Sequence, residues 1–357
     1  MDQLEIAKLL DTHRTQIVDQ TVGLAVQNPF WSERFGPGFA ERLALDADLN
    51  LAILAKAIRY RSPMIFDDHV LWRRGQIIGF GCSTGHLREI FGYKWAAINQ
   101  LMPAESLPTI YDYIQSGLAT VLPKSPTLQQ IAEAQDALAE AVVAATFDES
   151  WHWQAAYAEH GRVRAVRDAW FLFDFAIDSL SLKPELLGRH VCGLRDQLAA
   201  RGLSSIHIKQ LLWLAVQAAE QLLDPTPASE LRRVLEGATG YLSHDSEVCN
   251  ALMAAQEQIV GEVAQELSYA GLAPQPEHAA LEVGWYLAYL NDSLAAKDPS
   301  GLVNYARWMQ HYFASQGLPD TPLRQSFTAL SSSLERHLPQ YAAQDARSII
   351  TAAQRAL

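Results

Sequence analysis

One spacing of proline and glycine recurs three times along the chain and constrains its fold more than any other feature. A proline is followed by a glycine 18 residues later at three places, which lie 121 and 115 residues apart. Proline is tolerated in the first turn of a helix, and glycine suits the left-handed position just after its end. Each pair therefore predicts one helix, and the repetition indicates an internal threefold repeat. The pairs are Pro63 with Gly81, Pro184 with Gly202, and Pro299 with Gly317.

Around these pairs, each copy has the pattern of four helices. Apolar residues of the middle copy recur at the i, i+3, i+4, i+7, i+8 spacing of a helix stripe. They are Ile208, Leu211, Leu212, Ala215, Val216, Ala219, Leu222 and Leu223. The four-helix segments are predicted at 45–121, 166–242 and 281–357. Strong helix-forming segments at 128–145 and 249–267 precede the second and third copies, and residues 3–27 take that place before the first.

The fold class follows from this pattern. No run of residues alternates between apolar and polar between two hairpin turns, which is the signature of a strand. We therefore predict an all-α protein built from three tandem divergent helical-bundle repeats packed side by side. The units are expected at 1–123, 124–243 and 244–357, each large enough for one hydrophobic core.

Composition and charge exclude several classes of function. The 357 residues are 49% hydrophobic and carry a formal charge of −12, which disfavours binding to nucleic acid or to anionic lipid. No stretch reaches the roughly 18 apolar residues of a membrane span. The N-terminal residues lack the basic and apolar regions of a secretory signal. These features predict a cytoplasmic protein with no nucleic-acid partner and no membrane span.

The three cysteines indicate a reducing compartment. Cys82, Cys192 and Cys249 are odd in number and far apart, and they form no zinc-binding spacing. We therefore expect buried free thiols.

Histidines occupy matched positions in the first two copies. His69 and His190 each lie six residues after the helix-opening proline, where the third copy has Tyr305. Within a helical bundle an imidazole can ligate a haem iron or a cobalt ion, or hydrogen-bond a bound ligand. The other interpretation is a half-buried histidine whose ring is bonded to a backbone carbonyl.

Two further features extend this candidate ligand site. Trp72 and Trp308 share one repeat position, and matched aromatic residues either fill a core or line an apolar ligand slot. Cys192 lies two residues after His190, which raises the alternative of a covalently held, bilin-type chromophore. The candidate ligand-binding residues are His69, Trp72, His190, Cys192, Tyr305 and Trp308.

One sequence step has the spacing of metal ligands. Glu149 and His152 form the Glu-x-x-His step that di-iron carboxylate bundles use on a helix. Such a site needs a second step of this kind, and the sequence has none. An aromatic anchor formed by the flanking Trp151 and Trp153 is the alternative interpretation.

A glycine-rich stretch at 76–86, QIIGFGCSTGH, resembles a dinucleotide-binding turn. Its flanks are helical rather than strand-like, and Gly81 belongs to the repeated turn described above. We therefore interpret this stretch as a turn between helices rather than as a phosphate cradle.

The third copy resembles a helical module that often accompanies cobalamin-binding domains in bacterial sensor and regulatory proteins. The resemblance covers 281–339 and is weaker in the other copies. It rests on the Leu-x-Tyr-Leu step at 287–290, Asp298–Pro299, the pair of Tyr305 and Trp308, and the Gly-Leu-Pro turn at 317–319. It implies a regulatory role. A histidine often precedes the leucine step in such modules, but Tyr286 stands there in this chain.

The sequence contains no nucleophile elbow, kinase signature, P-loop or HExxH motif. The leading hypothesis is a non-catalytic, cytoplasmic regulatory or protein-interaction repeat protein that senses a small apolar ligand between helices. One alternative is a protein that binds a cofactor or metal of the haem, cobalamin, bilin or di-iron type. The other is an enzyme that acts on a hydrophobic substrate.

Overall fold

The protein is all-α, as predicted. The computed structural model describes the backbone of residues 1–149, 151–269 and 276–357, and their side chains apart from 148–160, 276 and 278. Within these residues there are 17 α-helices and no β-strand. None of the helices described has an apolar stretch long enough to cross a membrane.

The helices follow one another through short connections. The first six are α1 (Gln3–Ala25), α2 (Pro29–Phe35), α3 (Phe39–Arg59), α4 (Pro63–Gly79), α5 (Thr84–Leu101) and α6 (Leu107–Ala119). The next six are α7 (Pro126–Glu133), α8 (Gln135–Glu149), α9 (Trp151–Ser181), α10 (Leu186–Ala200), α11 (Ile206–Leu222) and α12 (Pro225–Thr239). The last five are α13 (Glu247–Tyr269), α14 (Pro276–Ala296), α15 (Ser300–Ser315), α16 (Thr321–His337) and α17 (Gln340–Ala356).

The repeated glycines end helices in the left-handed conformation that the sequence indicates. Gly81, Gly202 and Gly317 have φ angles of 77°, 71° and 67°. In each turn the amide of the next residue bonds the carbonyl five positions back, as in a Schellman motif. The three bonds are Cys82 to Ile77, Leu203 to Leu198 and Leu318 to Phe313. The predicted four-helix segments at 45–121, 166–242 and 281–357 correspond to helices α3–α6, α9–α12 and α14–α17. That they are copies of one ancestral unit stays a prediction.

The contacts group the chain into two compact units. Unit 1 consists of residues 1–140 and 159–186, and unit 2 consists of residues 141–158 and 187–357. The predicted middle segment, 124–243, is shared between the two. The sequence repeat therefore does not coincide with the grouping of contacts, because a unit is defined by the helices that pack on one core.

Unit 1 has its core where α1 packs against α3 and α5, and where α4 packs against α6. An Asp2–Glu5 capping box starts α1, since each side chain bonds the other residue's backbone amide. Trp31, Phe66 and Phe91 are among the largest fully buried side chains of this core.

Unit 2 has its C-terminal core where α13, α14, α16 and α17 meet. Tyr286 and Phe327 are fully buried there. Glu262 of α13 ties the helices together, because its carboxylate accepts hydrogen bonds from Ser333 at 2.8 Å and from His337 at 2.6 Å. On α11, the predicted apolar stripe is mostly buried, but Leu222 in its last turn is 47% exposed.

Candidate functional site

The structure brings two of the predicted ligand residues together on α4, in unit 1. The rings of His69 and Trp72 are 5.7 Å apart and stacked. His69 Nε2 donates a hydrogen bond to Asn50 Oδ1 at 3.1 Å. Burial, reinforced by the charge of Lys94, lowers the pKa of His69 to about 4, so the ring is neutral at pH 7. A metal ion at Nε2 would have to displace Asn50.

Trp72 does not fill the core, so that interpretation of this residue is wrong. It is 51% exposed, beside Leu45 at 74% and Leu49 at 43% on the neighbouring α3. The Asp46–Arg73 ion pair, at 2.7 Å, marks where α3 and α4 meet. Where two antiparallel helices contact each other, the residues that directly precede the two contacting residues project to the same side of the helix pair. Here these residues are Leu45 and Trp72, and Leu49 lies one helical turn after Leu45. Leu45, Leu49 and Trp72 therefore form one exposed apolar surface, which we call the α3–α4 strip.

The second predicted pair lies on α10, in unit 2. Cys192 is half-buried, and its Sγ accepts a hydrogen bond from Arg195 Nη2 at 3.4 Å. Arg195 also bonds the carbonyls of Tyr241 and Ser243, at 3.2 and 3.1 Å. His190 is two positions from Cys192 and so points to another side of the helix. The thiol therefore belongs to an arginine network that ties α10 to the 240–243 turn.

The third predicted pair lies on α15. Tyr305 is 5% exposed, and its ring stacks on Tyr289 of α14 with centroids 4.2 Å apart. Trp308 is half-buried and nearly parallel to Tyr305 at 6.0 Å. Burial raises the pKa of Tyr305 well above its usual value. These contacts place Tyr305 in the packed core between α14 and α15.

The predicted metal step lies outside the described side chains, because Glu149 and His152 fall within 148–160. Among the residues whose side chains are described, no group of three or more His, Cys, Asp or Glu is placed to hold a metal ion. The cysteines are free: Cys82 and Cys249 are buried as expected, whereas Cys192 is only half-buried.

The glycine-rich stretch forms the turn before α5, as interpreted from the sequence. Gly81 takes the left-handed conformation, and α5 begins at Thr84. Two aspartates of α9, in unit 1, accept from the first amides of α5. Thr84 N donates to Asp178 Oδ2 at 2.7 Å, and Gly85 N donates to Asp174 Oδ2 at 2.5 Å. The carboxylates occupy the place that a phosphate would take at a helix N-terminus.

This acid pair is deeply buried. Asp178 is 1% exposed and pairs with Arg74 at 3.3 Å, while Arg74 Nε donates to Thr84 Oγ1 at 2.9 Å. Burial, together with the nearby charge of Asp178, raises the pKa of Asp174 to about 6. The cavity beside the pair has a volume of about 10 Å³, room for one water molecule. The acids therefore serve as helix caps rather than as the walls of a ligand pocket.

An open, shallow groove lies next to these caps. Its volume is about 340 Å³, and its walls come from the start of α5 and from one face of α9. We call it the α5–α9 groove. It is lined by Gly85, Arg88, Glu89, Arg167, Trp170 and Phe171.

The two arginines of the groove differ in their partners. Arg167 is fixed by Glu89, whose two carboxylate oxygens each lie 2.9 Å from its Nη2. Arg88 lies over the ring of Trp170, with its guanidinium carbon 5.9 Å from the ring centre. Arg88 forms no salt bridge in the described part of the chain, but its charge acts on the nearby Asp174. Arg88 is the more exposed of the two cations beside the groove.

Gly85 brings the aromatic wall close to α5. A Cβ at this position would lie 2.6 Å from Trp170 Cζ3 and 2.7 Å from Asp174 Oδ2. Any other residue would push Trp170 away from the helix. Trp170 is held from its other side, since its Nε1 donates to Asp136 at 2.9 Å.

Sequence reasoning missed the acid pair and the groove. Asp174 and Asp178 stand four residues apart within the otherwise apolar run WFLFDFAIDSL at 170–180. Carboxylates on the apolar face of a helix need a buried partner, which is a signal that the sequence did contain. That their partner is the start of α5 could not be inferred, because the two elements lie about 90 residues apart.

Comparison with family models, with curated proteins and with solved structures gives no significant match for this chain. The resemblance to a cobalamin-associated helical module therefore stays a prediction.

Proposed function

We propose that this protein is a non-catalytic, cytoplasmic regulatory protein that senses a small molecule with a flat apolar part in the α5–α9 groove. The observation that carries the proposal is the groove itself, an open surface of about 340 Å³ beside the half-buried ring of Trp170 and the exposed guanidinium of Arg88. Ligand sites are typically mostly apolar, with a few placed polar groups.

The environment of the groove favours binding over catalysis. Asp174, the titratable group directly beneath Gly85, is held by a backbone amide, and Glu89 is held by Arg167. A general acid or base needs access to the proton that it moves. These carboxylates are engaged in hydrogen bonds within the protein, which supports a sensing role.

Hydrogen–deuterium exchange tests this proposal. The purified protein is mixed with a panel of neutral, anionic and cationic aromatic compounds, and amide exchange is followed by peptide. We expect at least one compound to slow exchange at 84–90 and 166–171, because a ligand in the groove rigidifies both walls. The start of α11, at 205–210, is the internal control and should not change. If no compound of the panel slows exchange at the groove, the proposal is wrong.

The α3–α4 strip supports a second candidate function, the binding of another protein. Three large apolar side chains exposed side by side are typical of an interaction surface. In proximity labelling within its own host, the variant Leu45→Ser, Leu49→Ser, Trp72→Ser is expected to lose specific neighbours of the wild-type protein. Leu182→Ser, which replaces an exposed leucine elsewhere in unit 1, is the matched control. An unchanged set of neighbours would rule this function out.

An absorption spectrum and a metal analysis separate both proposals from the cofactor alternative. The protein is purified from its own host for this measurement. A visible absorption band or a stoichiometric metal would favour a haem, cobalamin, bilin or di-iron protein, whereas a colourless and metal-free protein removes that alternative.

A further inference from the structure

The charges around the α5–α9 groove discriminate between ligand classes. Arg167 contributes little free positive charge, because both carboxylate oxygens of Glu89 lie at 2.9 Å from its Nη2. Arg88 is exposed and lies over the face of Trp170, although its charge also acts on the nearby Asp174. The groove therefore offers one net site for negative charge.

The helix amides do not add a second anion site. The first two amides of α5 already donate to Asp178 and Asp174. Both carboxylates lie at the start of α5 beside the groove, so a ligand group with two negative charges is disfavoured. Glu89 on the groove wall acts in the same sense.

The aromatic wall favours a flat ligand. Trp170 is half-buried, whereas Phe171 is only 7% exposed. The ring of His86 stacks on Phe171 at 3.8 Å, and the guanidinium carbon of Arg167 lies 5.4 Å from its centre. Trp170 is therefore the ring that the groove presents, and Gly85 lets this ring lie directly against α5. A flat aromatic ligand gains apolar area and an aromatic contact against Trp170.

We propose that the α5–α9 groove binds aromatic compounds that carry a single carboxylate, with the ring against Trp170 and the carboxylate on Arg88. Guanidinium and carboxylate match in a bidentate geometry, and the bond is stronger than a neutral hydrogen bond. The inference rests on the proposed sensing function, which it extends by naming the ligand class.

Calorimetric titration with three matched probes tests the inference. The probes are 1-naphthoate, its neutral amide 1-naphthamide, and 1-naphthyl phosphate, which is mostly dianionic at neutral pH. We expect 1-naphthoate to bind the wild-type protein at least about tenfold more tightly than the amide, the effect of one charge-assisted hydrogen bond. It should also bind more tightly than the phosphate.

Two arginine variants assign the effect to one residue. In Arg88→Gln the affinity for 1-naphthoate should fall by about tenfold, to that of the amide, while the affinity for the amide stays the same. Arg164→Gln replaces an exposed arginine of α9, outside the groove, and should keep the wild-type preference. Circular dichroism verifies that both variants are folded, which is expected because Arg88 is exposed.

The outcomes separate the ligand class from the function as a whole. If the amide or the phosphate binds as tightly as 1-naphthoate, or if Arg88→Gln keeps the preference, the inference is wrong while the sensing function stands. If none of the three probes binds at about 1 mM and the exchange experiment is also negative, both are wrong.

Discussion

The backbone amides at the start of α5 in unit 1 and at the start of α11 in unit 2 find their hydrogen-bond acceptors in two different ways. Each follows a left-handed glycine, and each donates a backbone amide to an aspartate of a later helix. In unit 1 two aspartates of α9 accept, and Arg74 neutralises one of them. In unit 2 a single aspartate of α14, Asp292, accepts four hydrogen bonds. They come from the amide of Ser205, from the hydroxyls of Ser204 and Ser205, and from the ring of His244.

The difference shows that one acid is enough to cap such a helix. At the first residue of α11, Ile206 N bonds Ser204 Oγ rather than a second carboxylate. In the 121-residue alignment Ile206 takes the place of Gly85. The second acid and the glycine therefore occur together, only in unit 1, and they bring α9 close to α5 beside the groove. We interpret the second acid and the glycine as the features of this helix start that serve ligand binding in the α5–α9 groove.

The pKa values of the two caps move in opposite directions. Burial raises the pKa of Asp174 to about 6. Burial by itself also raises the pKa of Asp292, but hydrogen bonds from His244, Ser204 and Ser205 outweigh it and hold that pKa below its usual value. Two helix caps of one chain thus respond to acid in opposite ways.

The largest expected effect comes from removing Asp178, the aspartate of α9 that pairs with Arg74. Asp178→Ala leaves Arg74 buried without its carboxylate, which costs about 3 to 5 kcal/mol of unfolding free energy. Asp292→Ala should cost about 2 kcal/mol, because it removes hydrogen bonds from Ser204, Ser205 and His244 but leaves no guanidinium without its carboxylate. Urea unfolding at pH 7 measures both values. Equal losses would contradict the comparison.

The second prediction concerns pH. The folded-state pKa of Asp174 lies above its unfolded value of 3.8. Its contribution to stability is therefore complete below pH 3.8 and is lost as the pH rises through about 6. The contribution of Asp292 has the opposite sign: it is present above its unfolded pKa and is lost as the pH falls below about 4.

Urea unfolding from about pH 3 to pH 8 checks this prediction, with Asp174→Asn and Asp292→Asn as references that cannot titrate. Relative to its reference, the wild-type protein should lose stability with rising pH in the first case and gain it in the second. Parallel pH profiles for the two pairs would show that the caps do not differ.

The third prediction tests the glycine. Gly85→Ala should lower the unfolding free energy by about 1 to 3 kcal/mol, since its Cβ would overlap Trp170 and Asp174. Gly92→Ala on the same helix is the matched control. It has no atom within 4 Å of the new Cβ and should raise stability by about 0.5 to 1 kcal/mol. A neutral Gly85→Ala would mean that the groove wall yields without cost.

The smallest expected difference is at the turn that both junctions share. Gly81→Ala and Gly202→Ala each place a side chain at positive φ, which costs about 1 to 2 kcal/mol. In both cases the new Cβ meets the end of a polar side chain, Arg34 or Asn304, that can move. Thermal unfolding should give equal losses. A difference above about 1 kcal/mol between the two losses would indicate that the two turns contribute unequally to the free energy of unfolding.

The sequence predicted well what local chemistry decides. Proline fixes its own φ and glycine alone enters the left-handed region cheaply, so the helix starting at Pro63 and the turns at Gly81 and Gly202 could be placed from residue types alone. The all-α class followed from apolar spacing for the same reason. The prediction that the glycine-rich stretch is a turn succeeded because it rested on this local pattern.

The sequence predicted poorly what depends on neighbours. Trp72 sits at a repeat position that suggests a core, yet it is 51% exposed. Exposure depends on which helix packs across that face, and nothing within α4 states it. Cys192 and His190 are close in sequence but lie on different sides of α10.

The sequence by itself determined the helices and where they end, because those choices are made within a few residues. Only the tertiary structure decided that Asp174 and Asp178 of α9 cap α5, and that Arg88 lies over the ring of Trp170. Such pairings join residues about 90 positions apart, and they are selected by which buried donors and acceptors satisfy one another.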